Sequence, residues 1–334
     1  MLMRHALAIA ALGVLIGCGG GGGGGTPPST VPPPPPTTLW TITGRITAYG
    51  SGAPVSGATV TPDGFTAVQT DANGGYKITG TTRPTSPSIK ITVMGGGYLT
   101  RVFYARYQQG ERGGVDVNVI QNVPPFSMDF YLALLRDSYE TPGGPLQPNR
   151  RLMSSPKFYV RTVDQNGKAV EPEVLAVVLP AIRQAVRDWT NGVLSVSTLE
   201  TGTETRQRTE GWVVVNITRD YQSTFCGQSY VGSTQGQIDL VDDRCNCGST
   251  KISGATVAHE VGHAMGFFHV GDPDSLMFPY APGNCPPGRL SANERYHSAL
   301  AYARTRFNTD PDTDDESVQM FRGGGDAPDI LIRN

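Results

Sequence analysis

Residues 259–269 read His-Glu-Val-Gly-His-Ala-Met-Gly-Phe-Phe-His and hold three of the five histidines in this 334-residue chain. His259 and His263 are four residues apart, so on a helix both imidazoles project from the same face. Two imidazole nitrogens at that spacing can reach one zinc ion at roughly 2.0–2.1 Å. Glu260 lies beside them, where its carboxylate can reach a metal-bound water without ligating the metal.

Gly266 follows His263 by three residues, and glycine can adopt the positive φ that ends a helix and turns the chain. We expect this turn to bring His269 to the same ion as a third ligand. Three protein ligands leave a fourth position for water, which is typical of a catalytic zinc site and not of a closed structural one. The fixed positions of the motif recur by chance on the order of once in 10⁵ chains of this size, which disfavours an inert motif.

The extended motif resembles that of the metzincin zinc metalloproteases. The segment Asp274–Tyr280, Asp-Ser-Leu-Met-Phe-Pro-Tyr, is similar to the Met-turn of the matrixin branch. The resemblance implies that Met277 lies under the three imidazoles as an apolar floor. Three roles are open for Tyr280: it lines the specificity pocket, it helps to stabilise the oxyanion, or it only packs against its neighbours. Packing is the role that the sequence favours. Val270 stands where individual branches carry their own marker residue, so the branch stays open.

The segments around the motif show strand and helix patterns. We predict strands at Phe158–Val163, Leu194–Ser197 and Trp212–Ile217, one or two more within Ser229–Val241, and helices at Glu171–Thr190 and Ser291–Tyr302. Ser291 and Glu294 are predicted to form a capping box at the start of the last helix. The resemblance then implies an α+β metzincin catalytic domain over residues 156–308, with a twisted mixed sheet, a zinc-binding helix, a Met-turn and a C-terminal helix. An extended peptide is expected to pair with the sheet edge near Ser229–Thr234.

The metal content follows from the histidines and acidic residues. One catalytic zinc ion is predicted at His259, His263 and His269. A second, His-rich zinc site is excluded by counting, because His297 is the one further histidine after the N-terminal leader. Calcium at Asp239, Asp242 or Asp243 is an alternative to a solvated acidic loop, which the sequence favours.

Residues 39–135 show strand patterns and predict an N-terminal all-β sandwich. Ile89–Val93 and Val115–Val119 alternate with period two, and turn residues separate such runs. Short strands at this spacing are typical of a sandwich. A resemblance to the carboxypeptidase regulatory-like domain, a small transthyretin-like sandwich, rests on three stretches: Ile42–Ile46, Val55–Val60 and Thr70–Ile78. No cluster of titratable residues appears in this region, which favours a spacer or adhesion module.

Residues 1–17 combine a basic start with the apolar run Ala6–Ile16, which is typical of a secretory signal. The run Leu15–Cys18, Leu-Ile-Gly-Cys, resembles a bacterial lipobox. That resemblance implies cleavage before Cys18 and diacylglyceryl attachment to its sulfur; an ordinary signal peptide with an incidental cysteine is the alternative. Two acyl chains are enough for stable anchoring. We therefore predict an exported lipoprotein, anchored to a membrane and facing the periplasm or the cell surface.

Three further segments carry no core-forming pattern. Residues 18–38 are a Gly/Pro-rich tether, because this composition cannot build a core. Residues 136–155 carry several prolines and are predicted to be a linker. Residues 309–334 form an acidic and then Gly-rich tail, which is predicted to be mobile.

Cysteine usage agrees with export. With Cys18 lipidated, four cysteines remain: Cys226, Cys245, Cys247 and Cys285. An even number in an exported chain predicts two disulfides. Neighbouring Cys245 and Cys247 are a poor pair, so Cys226 is expected to bond one of them and Cys285 the other. A Cys-rich metal site is the weaker alternative.

The composition and the motif together predict a function. A net charge of −2 and a pI near 6.2 exclude a typical nucleic-acid binder, which has a basic stripe. The motif predicts a monomeric zinc endopeptidase that acts on proteins or peptides, with zinc-bound water as nucleophile and Glu260 as general base. The alternative from another class is a catalytically silent, surface-anchored binding or adhesion protein that uses a metzincin-like scaffold.

Overall fold

The computed structural model describes residues 40–219, 223–242, 252–280, 287–316 and 329–333, and all of them fall within one compact unit, Thr38–Asn334. The predicted leader and tether, with Cys18, lie outside the described residues. In the described ranges, no helix combines the length and the apolar character that crossing a bilayer requires.

Residues 40–119 form eight strands in two sheets. The strands are β1 (Trp40–Ala48), β2 (Thr59–Pro62), β3 (Val68–Gln69), β4 (Gly75–Gly80), β5 (Ser88–Met94), β6 (Arg101–Arg106), β7 (Gly110–Arg112) and β8 (Val117–Val119). One sheet has the order β4-β1-β7, with β8 also paired to β1, and the other has the order β3-β2-β5-β6. β5 shows the predicted alternation, with Ile89, Ile91 and Val93 buried and Lys90 exposed. One apolar cluster takes residues from both sheets.

A tight turn places β4 beside β1. The Asp71 carboxylate accepts hydrogen bonds from the backbone N–H groups of Asn73 and Gly75, both at 2.8 Å. Gly74 has a φ of 74°, and a Cβ at this position would lie 2.3 Å from the carbonyl oxygen of Ile46. Only glycine allows both this conformation and this close approach.

A helix, α1 (Met128–Arg136), follows the β strands. The Ser127 hydroxyl caps it by accepting a hydrogen bond from the N–H of Phe130. Phe130 and Leu134 lie one turn apart and are buried in a second, larger apolar cluster. Residues 128–135, which the strand prediction included, are therefore helical, because the cap and the helical spacing of apolar side chains favour a helix.

The remaining elements build a six-stranded sheet with three helices around the larger cluster. They are β9 (Lys157–Arg161), α2 (Pro172–Trp189), β10 (Thr198–Gly202), β11 (Trp212–Thr218), β12 (Gly227–Tyr230), β13 (Gln235–Val241), α3 (Gly254–Ala264), α4 (Ala292–Tyr302) and β14 (Leu331–Arg333). The strand order is β10-β9-β11-β13-β12-β14. The first four strands in this order are parallel, β12 is antiparallel to β13, and β14 is antiparallel to β12.

Most predicted boundaries in this region agree with the structure to within a few residues, and α4 has the expected capping box of Ser291 and Glu294. The predicted strand at Leu194–Ser197 is wrong, because β10 begins at Thr198. The end of α2 explains the error. The Thr190 hydroxyl donates to the Val186 carbonyl at 2.7 Å and accepts from the Leu194 N–H at 3.1 Å, so this segment completes the turn after the helix.

Two segments that we expected to be peripheral contribute buried residues. In the predicted linker, the Asn149 side chain is buried and donates to the carbonyl of Ala301 at 2.8 Å. In the predicted tail, Asp314 is buried and forms an ion pair of 2.6 Å with Arg101 of β6. Polar groups are buried at low cost only when they are paired, and these partners are distant in sequence. Composition alone therefore gave no sign of the buried polar contacts that Asn149 and Asp314 make.

Candidate metal centre

Helix α3 places two of the predicted ligands. The Ser253 hydroxyl caps the helix by accepting from the N–H of Thr256 at 3.0 Å. Gly266 follows the helix with a φ of 107°, and a Cβ there would lie 2.7 Å from the backbone of Arg150. A side chain at residue 266 is therefore excluded by conformation and by space. The turn at this glycine directs residues 267–269 back toward the helix.

The three histidines of the motif converge on one point. The Nε2 atoms of His259, His263 and His269 lie 3.1–3.2 Å apart, and all three side chains are fully buried. Nitrogens that bind a tetrahedral zinc ion at 2.0–2.1 Å lie about 3.4 Å from one another, so the spacing fits one shared ion. Among the described residues, these three form the one group of His, Cys, Asp or Glu side chains that is close enough to hold a metal.

Each imidazole is oriented by a hydrogen bond at its other nitrogen. The Nδ1 atom of His259 bonds the carbonyl of Leu276 at 2.6 Å, and that of His263 bonds the carbonyl of Phe267 at 2.8 Å. The partner of His269 Nδ1 is the Glu140 carboxylate, at 2.5 Å. Because all three partners are acceptors, each Nδ1 carries the proton and each Nε2 presents its lone pair to the shared point.

Burial favours the neutral form of His259 and His263. It lowers the pKa of His259 to about 3, with a further contribution from His269. It also holds the pKa of His263 well below its ordinary value. Metal binding requires unprotonated imidazoles, so the lowered pKa values of His259 and His263 favour the state that zinc needs.

Glu260 lies on α3 between the first two ligands. Its side chain is fully buried, and among the described residues neither carboxylate oxygen has a hydrogen-bond partner. Burial, and then the charge of Asp239, raise the pKa of this carboxyl well above its ordinary value. A buried carboxylate that bonds no described residue, on the same helix as His259 and His263, is a good fit to a zinc ion with its water.

Gly227 makes room for this carboxylate at the start of β12. A Cβ at residue 227 would lie 2.5 Å from the Oε1 atom of Glu260. The first residue of β12 therefore lies directly against the predicted general base. The sequence carried no signal for this contact, because a single glycine before a strand has many explanations.

The predicted Met-turn residue lies beneath α3. Met277 is fully buried, and a Cβ on Gly262 would lie 2.7 Å from its sulfur, so the thioether packs on the helix between His259 and His263. Glu294 of α4 holds the turn, since its Oε1 atom accepts from the N–H of Met277 at 2.9 Å. The sequence pattern indicated only the helix-capping role of Glu294.

Tyr280 is tied to the loop that contains the turn. Its hydroxyl donates to the carbonyl of Pro273 at 2.5 Å, and the Ser275 carbonyl is 3.4 Å away. Burial, followed by the charge of Asp274, raises the pKa of this phenol. The hydroxyl therefore bonds the backbone of its own loop in this structure, an arrangement that matches the packing role.

The acidic residues considered for calcium are bonded within the protein. The Asp239 carboxylate accepts hydrogen bonds from the side-chain amides of Asn216 and Gln228 at 2.8 and 2.6 Å. The Asp242 carboxylate accepts from the N–H of Ile252 at 3.0 Å. Asp243 lies outside the described residues. These contacts offer no support for a calcium site.

The remaining predicted residues are only partly described. His297 is buried, and its Nε2 accepts from the N–H of Ser127 at 3.1 Å. Cys226 is disulfide-bonded and immediately precedes β12. Cys245, Cys247 and Cys285 lie outside the described residues, so the predicted pairing stays a prediction.

One family comparison covers the segment that contains this centre. Residues 181–272 match the astacin family of peptidases. This is a metzincin-type family of zinc-dependent peptidases, and members of a peptidase family act on proteins or peptides. The matched range includes Glu260 and all three histidines and ends before Met277. It therefore supports the zinc peptidase assignment and leaves the matrixin-like subtype as a prediction.

Comparisons with whole proteins add little. No curated protein matches the chain. A type II cohesin–X-dockerin complex from Acetivibrio cellulolyticus shares 21% identity and a TM-score of 0.20, with 24% of this chain and 56% of that chain covered. A 3-chlorocatechol 1,2-dioxygenase from Rhodococcus opacus 1CP shares 9% identity and a TM-score of 0.20, with 25% and 60% covered. The chain thus spans less than two thirds of either structure.

Proposed function

We propose that this chain is a zinc-dependent endopeptidase that hydrolyses peptide bonds of extracytoplasmic proteins. One observation carries the proposal: the three Nε2 atoms converge at 3.1–3.2 Å with every Nδ1 atom already bonded. The chain thus presents three oriented nitrogens, and the Glu260 carboxylate on the same helix bonds no other part of the described structure. The astacin match to residues 181–272 supports the same chemistry.

The residues of the site have separate roles in this mechanism. His259, His263 and His269 hold the metal. When bound, zinc polarises the scissile carbonyl and lowers the pKa of a water toward 7. Glu260 accepts a proton from the attacking water and delivers it to the departing amine nitrogen. Met277 supplies an apolar floor that supports the histidines from below.

We propose a matrixin-like arrangement around the Met-turn, on the basis of the residues Leu-Met-Phe-Pro at 276–279. Tyr280 then serves to shape the loop beside the site, since its hydroxyl bonds the loop backbone. An exchange of this tyrosine for phenylalanine tests that role. If Tyr280→Phe lowers kcat by a large factor with KM unchanged, the hydroxyl acts in the transition state and the packing role is wrong.

We also propose that the enzyme is an exported, monomeric lipoprotein attached through Cys18. Its lipobox-like sequence and the Gly/Pro-rich residues 18–38 support this location. Expression of wild type and Cys18→Ala in a bacterial host, followed by membrane fractionation, tests it. Wild type is expected in the membrane fraction and the variant in the soluble fraction. Equal distribution of both would contradict the anchor.

The central test combines metal analysis with a peptide-library cleavage assay. Wild type is expected to bind one zinc ion per chain and to cleave internal peptide bonds, and a chelator is expected to abolish cleavage. Glu260→Ala is expected to keep the zinc and lose the cleavage. Glu173→Ala, at an exposed glutamate on α2, is the matched control and is expected to behave as wild type. Stoichiometric zinc without any turnover would instead favour the silent binding protein.

A further inference from the structure

The outer edge of the catalytic sheet is already paired in this structure. β14 lies antiparallel to β12, with Gln228 opposite Arg333, Ser229 opposite Ile332 and Tyr230 opposite Leu331. The N–H of Val231 extends the pairing by donating to the carbonyl of Ile330 at 2.8 Å. The edge near Ser229–Thr234, where we expected a substrate to bind, is therefore occupied by a segment of the same chain. We call residues 329–333 the tail strand.

The tail strand runs toward the zinc-binding residues. From residue 331 to residue 333 of the tail strand, the paired residue of β12 changes from Tyr230 to Gln228. The next residue of β12 is Gly227, which lies against the Glu260 carboxylate. A peptide that paired with β12 in the same direction and continued by one or two residues would reach the predicted general base. A substrate that pairs with this edge has to reach the same point.

An apolar contact fixes one side chain of the tail strand. Ile332 is buried in a small cluster with Val231 and Phe268, and Ile330 packs against the same cluster. Phe268 directly precedes the metal ligand His269. The hollow that receives Ile332 is thus built from the strand edge and from the zinc-binding turn. Leu331 points the other way and is 39% exposed.

A charge contact fixes the start of the tail strand. The Asp329 carboxylate forms an ion pair with Arg208, whose guanidinium also lies over the ring of Tyr230 at 3.9 Å. Burial opposes the charge of Asp329, but hydrogen bonds from Arg208 and Ser233, together with the charges of Arg208 and Arg150, lower the pKa of this carboxyl. The edge therefore accepts an acidic residue three positions before an aliphatic one.

These contacts suit an occupant that can leave. The paired segment is three residues long, the ion pair is partly exposed, and one small apolar contact supports it. Short edge pairing and exposed ion pairs contribute little stability. The side chains of Glu260 and the three histidines are 0% exposed in this state.

We propose that the tail strand occupies the substrate-binding edge as an internal competitor, and that its contacts define the preferred substrate. The preferred substrate is an extended peptide with an aliphatic residue for the Val231 and Phe268 hollow and an acidic residue three positions earlier, opposite Arg208. This inference rests on the proposed peptidase function. It adds to that function the class of peptide that is preferred as substrate and a way in which the chain itself limits substrate binding.

The test compares four chains: wild type, a deletion of residues 329–334, Ile332→Glu, and Leu331→Glu as the matched control. If the tail strand competes with substrate, its removal raises the fraction of molecules in which the edge of β12 is unoccupied. The deletion and Ile332→Glu are then expected to lower KM by about tenfold with kcat unchanged. Leu331→Glu is expected to leave KM as in wild type, because this side chain faces solvent. If neither variant lowers KM, the competitor role is overturned.

A binding measurement separates this inference from the proposed activity. A labelled peptide with the sequence of residues 327–334 is added to the Glu260→Ala chain with and without the deletion, and its anisotropy is recorded. The deleted chain is expected to bind the peptide at least tenfold more tightly than the intact chain. Absence of binding by a folded deletion chain overturns the inference even if cleavage is observed. If the deleted chain binds the peptide but the wild-type chain cleaves no substrate, the result supports the proposal that the tail strand occupies the edge. It then contradicts only the proposed peptidase activity.

The cleavage sites from the peptide library provide the last check. An acidic residue three positions before an aliphatic residue is expected on the amino-terminal side of the cut bonds. An Arg208→Glu chain is expected to lose the acidic preference and to keep the aliphatic one. A preference that is unchanged in Arg208→Glu overturns the assignment of Arg208.

Discussion

The Glu140 carboxylate accepts a hydrogen bond of 2.5 Å from the Nδ1 atom of His269, across 129 residues of sequence. This contact lowers the pKa of Glu140, chiefly through the hydrogen bond itself and against the effect of burial. His259 and His263 bond backbone carbonyls within or near the motif, whereas His269 depends on a distant side chain. The orientation of the third ligand is therefore set by a segment that the sequence indicated only as a linker.

Loss of this carboxylate is expected to weaken zinc binding. Partners of metal-bound histidines typically change metal affinity about 10- to 100-fold. We expect Glu140→Ala to raise the zinc dissociation constant by that factor, and Glu140→Gln to have a smaller effect because its amide oxygen still accepts the bond. Competition with a coloured chelator measures the constant. Glu173→Ala serves as the control, and equal affinity of Glu140→Ala and wild type would contradict the role.

A methyl group at residue 227 is expected to damage catalysis without removing the metal. In Gly227→Ala, the new Cβ would lie 2.5 Å from the Oε1 atom of Glu260, so the carboxylate must move. Misplacement of a catalytic group by about 1 Å costs on the order of 100-fold in rate. Steady-state kcat and zinc content are measured together. Gly113→Ala is the control, because its Cβ would meet only the Thr43 side chain at 3.5 Å.

Glu294 is expected to contribute more to stability than its capping partner. One carboxylate oxygen accepts from the N–H of Met277 at 2.9 Å and from the Ser275 hydroxyl at 2.5 Å, while the other accepts from the N–H of Ser291 at 2.7 Å. Ser291→Ala removes a cap and is expected to cost about 1 kcal/mol. Glu294→Ala also leaves buried donors unpaired and is expected to cost about 3 kcal/mol. Urea unfolding of zinc-loaded protein measures both, and equal losses would show that the Met-turn does not depend on Glu294.

The ion pair between Asp314 and Arg101 is expected to make the free energy of unfolding depend on pH in the acidic range. Burial opposes the charge of Asp314, but Arg101, with hydrogen bonds from Thr305 and Asn308, lowers its pKa below the ordinary value of 3.8. A carboxyl whose pKa is lower in the folded state stabilises the fold above its unfolded pKa and loses that contribution as pH falls through the folded pKa.

The free energy of unfolding should therefore differ between wild type and Asp314→Asn at pH 7, by roughly 3–5 kcal/mol for a broken buried pair. The difference should stay full down to about pH 5 and shrink only below about pH 3.8. Urea titrations at pH 7, 5 and 3 measure it. The exposed Asp63→Asn is the control, and a difference that is constant down to pH 3 would show that this charge is not what stabilises the fold.

The sequence indicated well those features that depend on neighbouring residues. The i, i+4 histidines, the glycine turn at residue 266 and the capping box of α4 all depend on contacts within about one or two helical turns. Their geometry is almost the same in any fold that contains them. The predicted strand at Leu194–Ser197 was wrong because its short alternating pattern is a weak local signal. The hydrogen bonds of Thr190 hold the start of this segment in the turn after the helix.

By itself, then, the sequence predicted the eleven-residue segment 259–269 and its candidate metal ligands, since a helix and one glycine turn bring the three histidines near one another. Only the tertiary structure decided that Glu140 orients His269, that Gly227 lies against Glu260, and that residues 331–333 pair with β12. Each of these contacts joins segments that are distant along the chain. Which distant segments meet depends on the packing of the whole core, and no local pattern of residues encodes it.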